Sequence, residues 1–139
     1  MIWTMKIVLW SGYCDEISWE SKIEIDSSST LDDLHFAIQE YIQFDNDHLY
    51  EFYTSRNERS YKRTRYSEED DLIYETTLEM LYPLKKGNSL FYLFDYGDHW
   101  VFKITRTRKK PFEPLVGVEY PILIEESGKK PVQYSGFEE

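Results

Sequence analysis

The chain has 139 residues, the usual length of a single domain, and a formal net charge of −10. Its 41% hydrophobic and 17% aromatic residues can fill a dense core, which excludes disorder over most of the chain. The acidity argues against nucleic acid as the main ligand, since binding to phosphates usually draws on a basic face. The single cysteine, Cys14, excludes an intrachain disulfide and a thiolate metal cluster and is typical of a reducing compartment.

The opening stretch, MIWTMKIVLW, predicts a strand and not a targeting signal. Lys6 interrupts it, and it lacks the small-residue cleavage site of a signal peptide. No later stretch approaches the roughly 20 apolar residues that a membrane span needs. We therefore expect a cytoplasmic protein without membrane association.

Alternating apolar residues predict that the first 26 residues form a β-hairpin, with Gly12 and Asp15 in its turn. The apolar face of the first strand consists of Trp3, Met5, Ile7 and Leu9. The apolar face of the second consists of Ile17, Trp19, Ile23 and Ile25.

The segment TLDDLHFAIQEYIQF predicts the main helix, over residues 30–44. Thr30 is the expected N-cap, and Asp33 completes a capping-box-like pattern. An apolar stripe at three- and four-residue steps marks the face that packs on the core. Its members are Leu31, Leu34, Ile38, Tyr41 and Ile42. The acidic run DND ends the helix, and HLYEFYT then predicts a third strand.

Between positions 55 and 75 the apolar pattern is lost, and a basic block, RNERSYKRTR, precedes an acidic block, SEEDD. We interpret this stretch as a solvated excursion or long hairpin in which the opposite charges partly neutralise each other. The alternative is a basic patch, with Tyr61 and Tyr66 available for base stacking. That patch would contain Arg56, Arg59, Lys62, Arg63 and Arg65.

The next segment, TTLEMLYPLKKGN, predicts a short helix that starts at Thr76 or Thr77 and is limited by Pro83. The runs SLFYLF and HWVFKITRTR predict two further strands. Four prolines make residues 111–139 an irregular segment, in which YPILIEE could add one edge strand.

This order of elements predicts an α+β fold as a single domain over residues 1–139. A curved, largely antiparallel sheet would pack on one main helix. A hairpin followed at once by a helix also suggests a β-grasp-like arrangement, which is the finer prediction.

Two sequence blocks, LHFAIQEYIQFDNDHLYEF and LFDYGDHWVFKI, resemble those of the plasmid pRi ORF-three-like family, whose members occur on plasmids, in insertion elements and on prokaryotic chromosomes. The first block matches at Leu31, Leu34, His35, Ile38, Gln39, Asp45, Asp47, His48, Leu49, Glu51 and Phe52. The second matches at Asp95, Tyr96, Gly97, Asp98 and Trp100. The resemblance spans residues 2–137 and implies a small domain with no generally established biochemical activity.

The chain departs from the family pattern at the positions best suited to metal. Phe102 stands where the family usually has histidine, and the family's cysteine positions hold Leu123, Lys130 and Tyr134. These three residues and Phe102 cannot replace thiolate or imidazole ligands. We therefore expect no structural metal and no cofactor.

The segment FDYGDHW has two interpretations. In the first it closes a hairpin: Gly97 permits a positive φ, the aspartates accept backbone N–H bonds, and Trp100 and Phe94 join the core. In the second, the loop carries chemistry, and its acids form an acid–base or metal cluster with nearby imidazoles. That candidate polar cluster consists of His48, Asp95, Asp98 and His99, with His35, Gly97 and Trp100 as structural residues.

The three histidines differ in their expected surroundings. His35 borders the helix stripe and is expected to be half-buried with its polar atoms satisfied, whereas His99 is an exposed loop residue. His48 follows two aspartates and could cap a turn or join a polar cluster. The sequence contains no nucleophile elbow around a serine and no phosphate-binding glycine loop.

Two functional hypotheses remain open. The first is a non-catalytic interaction module that docks a protein partner through an exposed aromatic or edge-strand surface. The second is a hydrolytic or nucleic-acid-processing accessory enzyme built on Asp95, Asp98 and His48, which requires these side chains to share a pocket. Neither hypothesis specifies the oligomeric state.

Overall fold

The computed structural model describes residues 1–12 and 18–133, whose seven strands form one antiparallel sheet. The strands are β1 (Ile2–Ser11), β2 (Trp19–Asp26), β3 (Tyr50–Ser55), β4 (Thr64–Ser67), β5 (Ser89–Phe94), β6 (Trp100–Arg106) and β7 (Ile122–Gly128). The helices are α1 (Leu31–Ile42), α2 (Leu72–Glu75) and α3 (Leu78–Leu81). The sheet order is β4-β3-β5-β6-β1-β2-β7. The structure thus confirms the α+β class and the largely antiparallel sheet.

The N-terminal hairpin is confirmed by the pairing of β1 with β2, in which Trp3 lies opposite Ile25 and Met5 opposite Ile23. These side chains are buried on the face that the alternating pattern predicts. Gly12, which was predicted for the turn, follows β1 directly, and the rest of the predicted turn, with Cys14, Asp15 and the strand residue Ile17, lies outside the described residues.

Helix α1 begins and ends through local contacts. Thr30 accepts a hydrogen bond from the Asp33 backbone N–H (3.1 Å), and the Asp33 carboxylate accepts one from the Thr30 backbone N–H (3.0 Å). This reciprocal pair is the predicted capping box. At the other end Gln43 takes a left-handed conformation (φ 61°), which stops the helix.

One face of the sheet carries the helices and the main core. The predicted stripe of α1 is buried there, except that Tyr41 is only partly buried. The large side chains facing α1 from the sheet include Trp19, Phe52, Tyr92, Phe94, Trp100 and Phe102. Trp100 is fully buried, as predicted for the strand that follows the glycine turn.

The opposite face has a smaller buried cluster, made of Tyr53, Phe91, Leu93 and Val101. The loop between β3 and β4 folds over it. The Tyr53 hydroxyl donates to the Glu58 carbonyl (2.9 Å), and the Arg63 guanidinium lies 4.0 Å from the centre of the Tyr53 ring. Residues 55–67 of this stretch therefore form a long hairpin, as predicted, but its loop packs on the sheet and is not merely solvated.

Three predictions need correction or refinement. Residues Thr64–Ser67 form a strand and Leu72–Glu75 a short helix that the sequence reading missed. Residues Ile122–Gly128 form the edge strand that YPILIEE predicts and pair with β2, whereas residues 111–121 and 129–133 are irregular. The β-grasp-like order is not confirmed, since all strand pairs in the described residues are antiparallel.

Among the described residues, none of the helices has the length and apolarity that a bilayer crossing requires.

Candidate functional site

The two sequence blocks meet at one end of the sheet. Tyr50 lies opposite Phe94, and Phe94 lies opposite Trp100, so the start of β3, the end of β5 and the start of β6 are adjacent. The turn that leads into β3 therefore lies beside the β5–β6 turn. A backbone hydrogen bond from Asp95 N–H to the Leu49 carbonyl (2.9 Å) joins the two.

Asp95 organises the β5–β6 turn. It is 6% exposed, and its Oδ1 accepts hydrogen bonds from the backbone N–H groups of Gly97 (3.0 Å) and Asp98 (3.2 Å). Its Oδ2 lies 3.4 Å from Nε2 of His48. Both oxygens of this buried carboxylate are thus engaged, as a buried acid requires.

Gly97 does not use the positive φ that glycine permits. The positive φ angles in this turn belong to Asp95 (65°) and His99 (58°), and Gly97 is not among the residues with positive φ. Aspartate and histidine are among the non-glycine residues that tolerate this region. A Cβ on Gly97 would lie 3.3 Å from Asp95 Oδ1, so the glycine provides room for the carboxylate.

His48 lies at the edge of this turn. Its Nε2 is 3.4 Å from Asp95 and 3.7 Å from Asp47 Oδ1, and its side chain is 39% exposed. The ring packs edge-on against Phe94. Of the four predicted polar residues, His48 and Asp95 are therefore in contact, and Asp98 contributes its backbone N–H.

His99 does not join this contact. It is exposed, as predicted, and lines a different groove with Tyr96 and Arg65. Because His99 and His48 line different grooves, the structure does not support a single site built from all four predicted side chains.

Next to this turn, four residues form a closed ring of hydrogen bonds that the sequence did not reveal. Gln39 Nε2 donates to the Tyr92 hydroxyl (3.0 Å), which lies 2.5 Å from Nδ1 of His35. His35 Nε2 lies 2.7 Å from Asn46 Oδ1. The Asn46 backbone N–H closes the ring on Gln39 Oε1 (3.1 Å).

This ring assigns the tautomer of His35. Asn46 Oδ1 can only accept, so Nε2 carries the proton, and Nδ1 then accepts from Tyr92. Burial lowers the pKa of His35 to about 4, although the bond to Asn46 and the nearby Asp32 carboxylate favour the charged form. The sequence predicted a half-buried histidine, but His35 is 1% exposed because the sheet and the Tyr50 ring cover it.

Tyr50 links the ring to the surface. Its aromatic ring stacks on His35 at 3.5 Å between centroids, and its hydroxyl donates to Asp32. Burial and the bond to Asp32 raise the pKa of Tyr50 far above its ordinary value. The hydroxyl therefore stays protonated and holds the Asp32 carboxylate in place.

An open cleft of about 550 Å³ lies between α1 and β3, with His35 and Tyr50 in its lining, and is named here the α1–β3 cleft. It is lined by Asp32, His35, Phe36, Asn46, Asp47, His48, Leu49, Tyr50, Glu68 and Tyr74. Three of its apolar side chains are unusually exposed: Phe36 (54%), Leu49 (61%) and Tyr74 (47%). Three carboxylates, those of Asp32, Asp47 and Glu68, also line the cleft. The cleft thus combines apolar surface with negative charge.

The C-terminal segment supports the same end of the sheet. Gln133 is 7% exposed, accepts a hydrogen bond from the Asp45 backbone N–H (2.7 Å) and donates to Asp47 (2.8 Å). It fixes the turn that carries His48. Asp45 and Asp47 were visible in the sequence as an acidic turn, but nothing local to Gln133 indicated this contact.

The predicted basic patch is divided in the structure. Arg56, Lys62 and Arg63 line one groove, whereas Arg65 pairs with Glu51 (3.6 Å). Arg59 is exposed but does not line that groove. Tyr61 is fully exposed. Tyr66 packs against the core and is half-buried, so only part of its ring is available for stacking on bases.

Within residues 1–12 and 18–133, no group of three His, Cys, Asp or Glu side chains is placed to hold a metal. Phe102, at the family's histidine position, is fully buried in the core, and Tyr134 lies outside the described residues. The absence of a structural metal in this member stays a prediction.

Comparison with known proteins identifies the family. A search of curated proteins gave no match. A solved structure of a protein of unknown function from Methanosarcina mazei Go1 superposes with a TM-score of 0.69 over 91% of this chain and 68% of that one, at 24% identity. That likeness supports the fold. The family model described as plasmid pRiA4b ORF-3-like protein matches residues 15–137. The chain therefore belongs to the plasmid pRiA4b ORF-3-like family, as its two sequence blocks predicted.

Proposed function

We propose that this chain is a non-catalytic interaction module whose α1–β3 cleft receives a basic segment of a protein partner. The observation that carries the proposal is the joint exposure of Phe36, Leu49 and Tyr74 in one cleft bordered by carboxylates. Contiguous exposed apolar side chains with a polar rim are typical of protein-binding surfaces.

The chemistry of the cleft favours a segment that carries both an apolar and a cationic side chain. A lysine or arginine can lie on an aromatic face such as Tyr74 while it pairs with Asp32 or Glu68. Tyr50 is held by its stack on His35 and its bond to Asp32, so this wall is ordered before a partner arrives. Such preorganisation lowers the entropic cost of binding.

The hydrolytic alternative rests on the contact between His48 and Asp95. Oδ1 of Asp95 accepts two backbone N–H groups of its own turn, and that arrangement supports a structural role for this carboxylate. The enzymatic hypothesis predicts that the protein turns over a substrate, and that His48→Gln abolishes this turnover while leaving the fold intact. The interaction hypothesis predicts that this variant keeps partner binding within a few-fold.

Site-specific photo-crosslinking tests the proposal. A benzoylphenylalanine placed at Phe36 is expected to crosslink a protein whose attached peptide carries net positive charge. The same group at Leu115, which is 57% exposed and does not line the cleft, is the matched control. Equal crosslinking at the two positions would contradict the proposal.

A charge reversal provides a second measurement with the crosslinked partner. Glu68→Lys places a cation in the cleft and is expected to weaken binding at least about tenfold, because like charges would meet there. Glu113→Lys makes the same charge change at an exposed position that does not line the cleft. If both variants bind equally well, the acidic rim has no role in recognition.

A further inference from the structure

A second groove, separate from the α1–β3 cleft, concentrates positive charge in an acidic protein. It lies between the β3–β4 hairpin and the loop before β5 and has a volume of about 770 Å³. Five cationic side chains line it: Arg56, Lys62, Arg63, Lys85 and Lys86. The other lining residues are Thr54, Thr64, Gly87 and Asn88, so its lining in the described residues contains no carboxylate. We name it the basic groove.

The cations of the basic groove are not neutralised within the part of the chain that the structure describes. None of the five lies within 4.0 Å of a carboxylate there, whereas Lys6, Lys22, Lys109 and Lys130 each pair with a glutamate. Clustered like charges repel one another, and an anionic ligand relieves that repulsion.

The groove is partly preorganised. Arg63 donates from Nε to the Ser60 carbonyl (2.8 Å) and from Nη2 to the Glu58 carbonyl (2.9 Å), while it lies over the Tyr53 ring. These contacts fix the guanidinium on the hairpin. On the opposite wall, Gly87 takes a positive φ of 87°, and a Cβ there would meet nothing within 4 Å. The backbone is therefore open to a ligand at this point.

An exposed aromatic side chain, adjacent in sequence to a lining residue of the groove, distinguishes between anionic ligands. Tyr61 immediately precedes Lys62 and is 101% exposed. Because this ring is fully exposed, it is available to stack on a nucleobase. Proteins that bind single strands without sequence preference combine such stacking with a positively charged groove. An acidic peptide has no group that requires such a ring.

We propose that the basic groove binds the phosphate backbone of a single-stranded nucleic acid, with Tyr61 stacking on a base. In the sequence a basic patch in this stretch was the second interpretation, because an acidic block follows the basic one directly. The structure supports it locally: Arg63 also lines the neighbouring groove that contains Glu68, Glu69 and Asp70, but the other four cations do not.

Fluorescence anisotropy with labelled oligothymidine and oligouridine of about 12 nucleotides tests the proposal at about 50 mM salt. Both probes are expected to bind, and the affinity is expected to fall as salt rises, by about 0.7 in log K per log salt for each phosphate contacted. Lys85→Gln with Lys86→Gln is expected to weaken binding at least about tenfold and to reduce that slope. Tyr61→Ala is expected to weaken it about tenfold through lost stacking.

The matched control is the pair Lys6→Gln with Lys22→Gln. It makes the same change in net charge on lysines that already pair with Glu20 and Glu125, and it is expected to change the affinity less than about twofold. No binding at low salt would overturn the proposal. A second outcome would also overturn it: an oligoglutamate of equal charge competes as well as the oligonucleotide, and Tyr61→Ala does not change the affinity. The groove would then recognise acidic peptide.

Discussion

Acidification is expected to destabilise this protein through His35. The ring of hydrogen bonds holds its imidazole neutral, and burial lowers its folded-state pKa to about 4, against an ordinary value of 6.5. Between these two values the unfolded chain binds more protons than the folded chain. The free energy of unfolding therefore keeps this contribution in full above pH 6.5 and loses it as the pH falls towards 4.

The size of the effect follows from the difference of 2.5 between the two pKa values. Each unit corresponds to about 1.4 kcal/mol, so the loss approaches about 3 kcal/mol near pH 4. Protonation would also turn Nδ1 of His35 into a donor, so the Tyr92 O–H would lose the acceptor that it has there.

Urea unfolding measured from about pH 7.5 to about pH 4.5 checks this, with His35→Gln as the control. Glutamine can donate to Asn46 and accept from Tyr92 but does not titrate in this range. The variant is expected to be less stable at pH 7.5 and to lose less stability on acidification, so the two curves converge. If wild type and variant lose stability in parallel, the reasoning about His35 is refuted.

Three substitutions test the fold by thermal and urea unfolding. Gly128→Ala is expected to lower the free energy of unfolding by at least about 2 kcal/mol, because φ is 84° and the new Cβ would lie 2.1 Å from the Ser18 carbonyl oxygen. An unchanged unfolding midpoint would contradict the β2–β7 pairing. Thr30→Ala removes the cap that Asp33 completes and is expected to cost about 1 kcal/mol, with Thr30→Ser as the conservative control. Trp100→Ala is expected to cost about 3–5 kcal/mol, and a loss below 1 kcal/mol would mean that this ring is not buried.

The parts of the fold that depend on local sequence were predictable. Helix α1 combines a capping box and an apolar stripe within 15 positions, both of which are readable without tertiary information. Strand β4 was not predictable, because its four exposed or half-buried residues show no apolar alternation. It exists because the edge of β3 offers unpaired backbone groups to Thr64 and its neighbours.

The candidate site was predictable only in part. His48 and Asp95 were singled out as polar residues beside turns, and they are in contact. The ring around His35 was not predictable, because His35 and Tyr92 are 57 positions apart and meet only when the sheet forms. The conformation of the glycine turn was misread for a chemical reason: the Asp95 side chain stabilises its own positive φ by accepting two backbone N–H groups.

The cyclic arrangement of Gln39, Tyr92, His35 and Asn46 also restricts how this protein can diverge. The Tyr92 hydroxyl, the Gln39 amide and the His35 imidazole each donate and accept a hydrogen bond in it, whereas the exposed Asn46 side chain only accepts. Replacing the buried Tyr92 hydroxyl by an apolar group would leave Gln39 Nε2 and His35 Nδ1 without this partner away from water. Substitutions at these three buried positions should therefore occur together. A homologue with phenylalanine in place of Tyr92 should have exchanged its imidazole too.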